Sequence, residues 1–420
     1  MVNSKKSAFI FLTFFFFLFP FIAYSAEQLF LNQLIEEALK NNPQIQAAKY
    51  RHEATKTKIR LLRTLEDPKF EYEYDKITAS MDNLMNNNTR PMRTFAISQE
   101  IPFPTKLFLR RAAAQKEANA SEQDYKETER KVIKEVKEAY SQIFLNDKKI
   151  RLTNANLDLL SQFIEIVNKK YAVNKANQQD SLKAQVEYSK LSNQLILLEQ
   201  EKKIAEIMLN SLLNRPADSL VSIPEEENDM ELDLTEEKIL KLTKENRPGL
   251  KSVKEMVRKS EIDYSLAKQE YLPDLMVKYK REERGGGMGS WAGMLGVTIP
   301  VWFWEKQDSF MKEARANVQV IKAEYNSEEN AVLFEARSAL AKFDAAKKLV
   351  EIYKTGVLPQ AQAAVETAQA GYEADKISFL DLLDSLRTLK DFQMEYFEAE
   401  ANKEIALADL ERSVGTDLNK

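Results

Sequence analysis

The chain repeats itself at an interval of about 200 residues, and this limits the fold more than any other feature of its sequence. Ala370 to Leu389, AGYEADKISFLDLLDSLRTL, has a fainter copy in Lys170 to Gln185, KYAVNKANQQDSLKAQ. Tyr171 pairs with Tyr372, Asn174 with Asp375, Asp180 with Asp381 and Leu182 with Leu383, each displaced by 201 positions. Pro43 matches Pro248 and Pro68 matches Pro273 at a displacement of 205, and Ile101-Pro102 matches Ile299-Pro300 at 198. So small a drift puts the insertions in loops and gives both halves one order of elements: helix, strand pair, long helix, returning helix.

The strand pairs show in the alternation of side chains. Asn32 to Leu65 has helical composition and ends before Asp67-Pro68. Lys69 to Ile77 then places Phe70, Tyr72 and Tyr74 on one side and Lys69, Glu71, Glu73 and Asp75 on the other, the two-residue period of a strand. Its partner is Thr94 to Ile101, across the polar loop Thr78 to Arg93. In the second half, Asp274 to Arg281 alternates Leu275, Val277 and Tyr279 with Met276, Lys278 and Lys280. Trp291 to Val301 alternates Trp291, Leu295, Val297 and Ile299 with Ala292, Met294, Gly296 and Thr298. The loop between them holds Gly285-Gly286-Gly287 but lacks the Lys-Ser/Thr and following helix of a phosphate-binding loop.

Strands of roughly 9 residues with one greasy face suit a transmembrane barrel as well as a half-buried sheet. Trp302, Phe303 and Trp304 directly follow Pro300, where a barrel strand would leave the membrane and aromatic rings favour the headgroup level. Four strands cannot close a barrel, since the smallest need about eight, so the chain is expected to share one with copies of itself. Glu71, Glu73, Asp75, Lys278 and Lys280 would then face the lumen as a mixed-sign, wet lining.

Lys106 to Asn168 contains no Pro or Gly, enough for a helix of roughly 95 Å. Val132, Val136, Ala139 and Ile143 step by four, three and four, and Leu195, Leu198, Ala205, Leu209 and Leu212 keep the seam on the return, as in helices packed in coiled-coil fashion. Phe310 to Tyr353 and Leu380 to Leu410 repeat the plan, with Gly356 and Pro359 expected to break or kink the outgoing helix.

Residues 1–25 read as an export signal: Lys5 and Lys6, the apolar run Ala8 to Ile22, then Ala23-Tyr24-Ser25 as a cleavage site. The expected domains are 26–216 (strand pair 69–101, hairpin tip near 170–181), an acidic connector at 217–231, 232–415 (strand pair 274–301, tip near 371–382) and a tail at 416–420. No cysteine is present, so disulfides and thiolate metal sites are excluded. A net charge of −4 speaks against a nucleic-acid binder.

Each tip joins two helices through a residue tolerant of positive φ, Asn174 or Asp375, with Ser181 or Ser378 and an Asp near the start of the returning helix. The second copy resembles the hairpin motif Tyr-x-x-Gly-x-x-Ser-x-x-Asp-x-Leu-Asp-Ala of the TolC-type outer-membrane efflux proteins. It departs from that motif at Asp375, usually Gly, and Ser385, usually Ala. Ser98 to Ala118, Tyr271-Leu272-Pro273 and Thr298 to Lys306 are further matching pieces; the last two look most like the heavy-metal and cation efflux branch.

The resemblance implies a mainly α protomer with a β-barrel portion. Three copies would close a twelve-stranded transmembrane barrel above a periplasmic α-helical barrel, in the outer membrane and extending into the periplasm. Expected partners are a periplasmic adaptor, an inner-membrane pump and outer-membrane lipid. It places Asp381 and Asp384, three apart on one helix face, at the gate near the periplasmic tip as acidic rings, and Tyr171, Asn174, Asp180, Tyr372 and Asp375 at the tips that meet the adaptor. In the first copy Lys183 replaces the second acid, and Ile377 lacks the basic character some members use to latch the closed state.

No enzyme is expected and no cofactor. The single histidine, His52, sits in a helical stretch between Arg51 and Glu53, and no nucleophile elbow is present. Met81, Met85, Met92, Met288 and Met294 would suit a soft metal, but loop and packing roles account for them. The competing reading is a soluble periplasmic coiled-coil adaptor or scaffold, whose strands would lie in a water-facing domain.

Overall fold

The computed structural model describes residues 31–76, 91–173, 177–221, 235–284 and 289–418. The export signal, Asn174, Gly285 to Gly287, Met81, Met85, Met288, most of the loop Thr78 to Arg93 and of the acidic connector, and the last two residues lie outside them. The first half runs α1 (Leu31–Asn41), α2 (Pro43–Leu61), β1 (Lys69–Lys76), β2 (Pro91–Ile101), α3 (Pro104–Ala172) and α4 (Gln178–Leu212). The second runs α5 (Glu236–Asn246), α6 (Pro248–Gln269), β3 (Asp274–Arg284), β4 (Ser290–Thr298), α7 (Lys306–Ile352), a π turn (Tyr353–Val357), α8 (Leu358–Glu373) and α9 (Phe379–Val414).

The first helical stretch is two helices rather than one, because Asn42 caps a new helix that begins with Pro43. Its Oδ1 accepts from the amides of Gln44 and Ile45 at 2.8 and 3.3 Å, and its Nδ2 donates to the Leu212 carbonyl at 2.9 Å. Arg247 stands at the equivalent place before Pro248. It is buried, donates to the Arg412 carbonyl, and pairs with Glu127 at 2.9 Å and Glu335 at 3.2 Å. Burial pushes the Glu127 carboxyl up despite the two arginines beside it.

Gly356 and Pro359 do not break the outgoing helix. The backbone stays helical through the π turn, with Val357 at φ −67° and Leu358 at φ −63°. The repeat explains why a wider turn is needed there. Buried Val132, Val136, Ala139, Tyr140 and Ile143 of α3 match buried Val332, Ala336, Ala339, Leu340 and Phe343 of α7 at a displacement of 200. Beyond the turn, buried Leu160 and Val167 match Ala361 and Ala368 at 201. One extra residue has been taken up as a π turn, which keeps the apolar faces above and below in phase.

The four strands form one antiparallel sheet in the order β1-β2-β3-β4. Phe70 lies opposite Ile97, Ile97 opposite Tyr279, and Val277 opposite Leu295, so one face is apolar across all four strands. That face is open: Phe70 is 69 % exposed and Leu295 74 %. β2 starts at Pro91 and β3 extends to Arg284, longer than the alternation suggested, whereas β4 stops at Thr298, leaving Ile299 outside the sheet. The outer edges of β1 and β4 pair with no strand among the described residues.

Helices continue this open arrangement below the sheet. Nearest the sheet α3 lies between α2 and α6, and α6 packs on α7; toward the tips α3 lies between α4 and α9, and α9 packs on α7, giving the order α4-α3-α9-α7 there. Lys106 fixes the corner between sheet and helices. It is buried and bonds both carboxylate oxygens of Asp274 at 3.0 Å, while Asp274 Oδ1 also accepts from the Phe103 amide at 2.9 Å. A buried ammonium needs such partners, and they join the end of β2 to the start of β3. No helix among the described residues is long and apolar enough to cross a membrane.

Candidate gate and lumen

At the second tip, α8 ends at Glu373 and the chain turns through Asp375 at φ 57°. The Asp375 and Lys376 amides donate to the Tyr372 and Gly371 carbonyls at 3.2 and 2.8 Å. Ile377 folds back over Gly371, where a Cβ would come within 3.3 Å of its side chain. Ser378 then caps α9: its amide and hydroxyl donate to Asp381 Oδ2 at 3.1 and 2.7 Å, and its Oγ accepts from the Asp381 amide at 3.3 Å. In the first copy the cap is Asn177, four residues before Ser181, and Asp180 accepts from its amide at a looser 3.4 Å. Ser181 lies inside that helix and donates to Asn168 Oδ1 at 2.6 Å.

Asp381 and Asp384 are both exposed, on the side of α9 opposite buried Leu382, Leu383 and Leu386. Asp381 is engaged in the cap, whereas Asp384 makes no hydrogen bond or ion pair among the described residues. Asp180 is half-buried, and its charge together with that of Asp375 adds to the burial that raises the Tyr372 hydroxyl.

The two tips are fastened by a residue that sequence reading missed. Lys170, at the end of α3, reaches Asp375 Oδ1 at 2.6 Å and the Tyr372 carbonyl at 2.9 Å, with its ammonium 4.2 Å from the centre of the Tyr372 ring. Tyr372 is buried against Phe379, ring centres 5.7 Å apart, but its repeat partner Tyr171 is exposed. The signal in the sequence was Asp375 itself: a charge where the resembling motif has Gly invites a cation from the neighbouring tip.

On the sheet, Glu71, Glu73, Asp75, Lys278 and Lys280 share the face opposite the apolar one. Thr94, Ala96 and Ser98 of β2 lie buried between them, small enough for Lys278 to reach across from β3 and meet Glu71 Oε2 at 2.5 Å. Lys69 pairs with Glu100 at 2.9 Å and Lys280 with Glu282 at 2.5 Å. Water screens these pairs, so each adds little to stability, but they neutralise much of the wall. Met92 and Met294 lie on the same face with a whole strand between them. Among the described residues no group of three His, Cys, Asp or Glu side chains converges as metal ligands do. Trp302, Phe303 and Trp304 are exposed in the turn after β4, their rings in edge contact at 5.7 and 5.1 Å.

A greasy open sheet with a polar reverse side, mounted on two long helical hairpins, is the fold of a channel-forming membrane protein rather than of an enzyme. The pattern of the outer membrane efflux proteins matches residues 34–215 and 239–416, and the chain belongs to that family. The cobalt-zinc-cadmium resistance protein CzcC of Cupriavidus metallidurans is 20 % identical over 291 residues, 67 % of each chain. Among solved structures, a membrane protein from Pseudomonas aeruginosa superposes with a TM-score of 0.82 at 19 % identity, covering 92 % of this chain and 93 % of that one. The Campylobacter jejuni CmeC outer membrane channel gives 0.79 at 17 % identity, covering 93 % and 87 %. The chain is an outer-membrane efflux protein of this fold.

Proposed function

We propose that three copies of this chain close into an exit duct through the outer membrane, which passes cargo delivered by an inner-membrane pump and a periplasmic adaptor. The observation that carries this reading is the sheet: four strands, an exposed apolar face and two unpaired edges. Three such sheets make twelve strands, enough to close a barrel whose apolar face meets lipid and whose charged face lines water. Trp302, Phe303 and Trp304 then stand at the membrane boundary. A soluble adaptor would leave that apolar face in water, against the hydrophobic effect.

Asp381 and Asp384 form two stacked carboxylate rings at the narrow periplasmic end, attractive to cations. Of the two, Asp384 is the freer to bind them. Tyr171, Asn174, Asp180, Tyr372 and Asp375 belong to the tips that meet the adaptor, and Lys170 supplies the fastening that Ile377 cannot. The name of the 20 % identical relative, a cobalt-zinc-cadmium resistance protein, supports divalent metal ions as the cargo.

The test is to purify the protein in detergent and record single-channel current in planar bilayers. A trimer with a cation-blocked conductance is expected, and replacing Asp381→Asn together with Asp384→Asn should weaken block by divalent cations several-fold. Unchanged block would remove these carboxylates from the constriction. Release of the protein from cells by osmotic shock, without detergent, would refute the duct.

A further inference from the structure

The repeat maps the helix order α4-α3-α9-α7 onto itself, since α3 corresponds to α7 and α4 to α9. The seam inside one chain, α3 against α9, therefore has a counterpart formed by α7 of one chain and α4 of the next. The same operation turns the β2–β3 junction into β4 against β1 of the neighbour. Exposure in the single chain supports this at matched positions. Leu383 is 2 % exposed, but its partner Leu182 is 54 % exposed; Ala408 is 2 % exposed and Ile207 41 %. In each pair the member on α4 lacks the cover that its twin has.

The inner seam is stitched by charge. Lys134 meets Asp409 at 3.3 Å, and Lys149 meets Glu398 at 2.6 Å. Carried through the repeat, at 200 for the outgoing helix and 201 for the returning one, these four positions become Phe334, Met208, Leu349 and Leu197. All four are exposed apolar side chains. Given the ring described above, we propose that at these two levels the seam between neighbouring chains is apolar where the seam within each chain is ionic, with Phe334 of one copy against Met208 of the next and Leu349 against Leu197. The occupant of the open α4 and α7 faces is thus a second copy of this chain, joined head to tail, the arrangement that closes a ring. At the tip the two seams differ in the same sense. Lys170 clasps the inner one, whereas its repeat counterpart Gly371 has no side chain with which to clasp the outer one.

The natural chain has no cysteine, so introduced thiols are the only ones. F334C/M208C and L349C/L197C, each treated with a short bis-maleimide in the detergent-purified protein, should run as covalent trimers on a denaturing gel. K134C/D409C and K149C/E398C should remain at monomer mass, linked within one chain. If neither apolar pair cross-links between chains in a preparation that is trimeric and conducts, the assigned seam is wrong although the duct stands. A wild-type protein that is monomeric and forms no channel would instead sink the duct, and the seam with it. As a second measurement, Leu182→Asp should abolish the trimer while leaving the chain helical by circular dichroism; a trimer as stable as wild type would overturn the seam.

Discussion

The first hairpin reaches its tip through α3 as one helix of 69 residues, whereas the second reaches its own through a 47-residue helix, a five-residue π turn and a 16-residue helix. Their tips differ as well. The second carries two acids on one helix face and a serine cap with three hydrogen bonds, while the first carries Asp180 beside Lys183 and the looser Asn177 cap. What the pair teaches is that packing tolerates changes in length and in charge so long as the buried face stays in phase. The surplus residue in the second hairpin is absorbed locally, and the seam below it closes as it does in the first.

The largest effect should come from disturbing that phase. Deleting Ala155 from α3, where no residue is spare, would turn Leu157, Leu160, Phe163 and Val167 away from the tip core by about 100°. Each is buried, and losing such side chains costs roughly 2–5 kcal/mol apiece, so the first tip should lose hydrogen-exchange protection altogether. Deleting Gly356, its counterpart at 201, should convert the π turn to α-helix and change the melting temperature little. Equal damage from the two deletions would end this account of the π turn.

A smaller effect is expected from Leu383→Ala, about 2–5 kcal/mol, since the residue is 2 % exposed within its own chain. Leu182→Ala should matter little in chains dispersed as monomers and should lower the melting temperature only of the assembled protein. Smallest of all is the cap: Ser378→Ala should cost about 1 kcal/mol and Asn177→Ala less, read from denaturant melts of tip-specific fluorescence. A larger loss at Asn177 would reverse the ranking of the two tips.

Much of this was legible before any coordinates. The displacement of Tyr372, Asp381 and Leu383 from their first-half partners, the alternation of Phe70, Tyr72 and Tyr74, and the seam through Val132 and Val136 all follow from local periodicity. The break at Asn42 was less visible, because a proline at the first helical position is compatible with either one bent helix or two. The outcome at Gly356 depended on a phase relation with the other half of the chain, and propensity alone pointed to a break or a kink. Lys170 and Lys106 were passed over for a different reason: a lysine carries no sign of its partner when that partner lies 205 or 168 residues away.

By itself, the sequence determined what repeats: the type of each element, which face of each is greasy, and that one chain holds two copies of one unit. Those properties are local, set by side-chain spacing along a single helix or strand. The tertiary structure decided how the two copies differ in use. It buried Leu383 and left Leu182 open, placed Lys170 on Asp375, and stitched α3 to α9 with ions while leaving apolar side chains exposed on α4 and α7. Burial and ion pairing depend on which surfaces meet in space, and two stretches of chain built on one pattern can meet quite different neighbours.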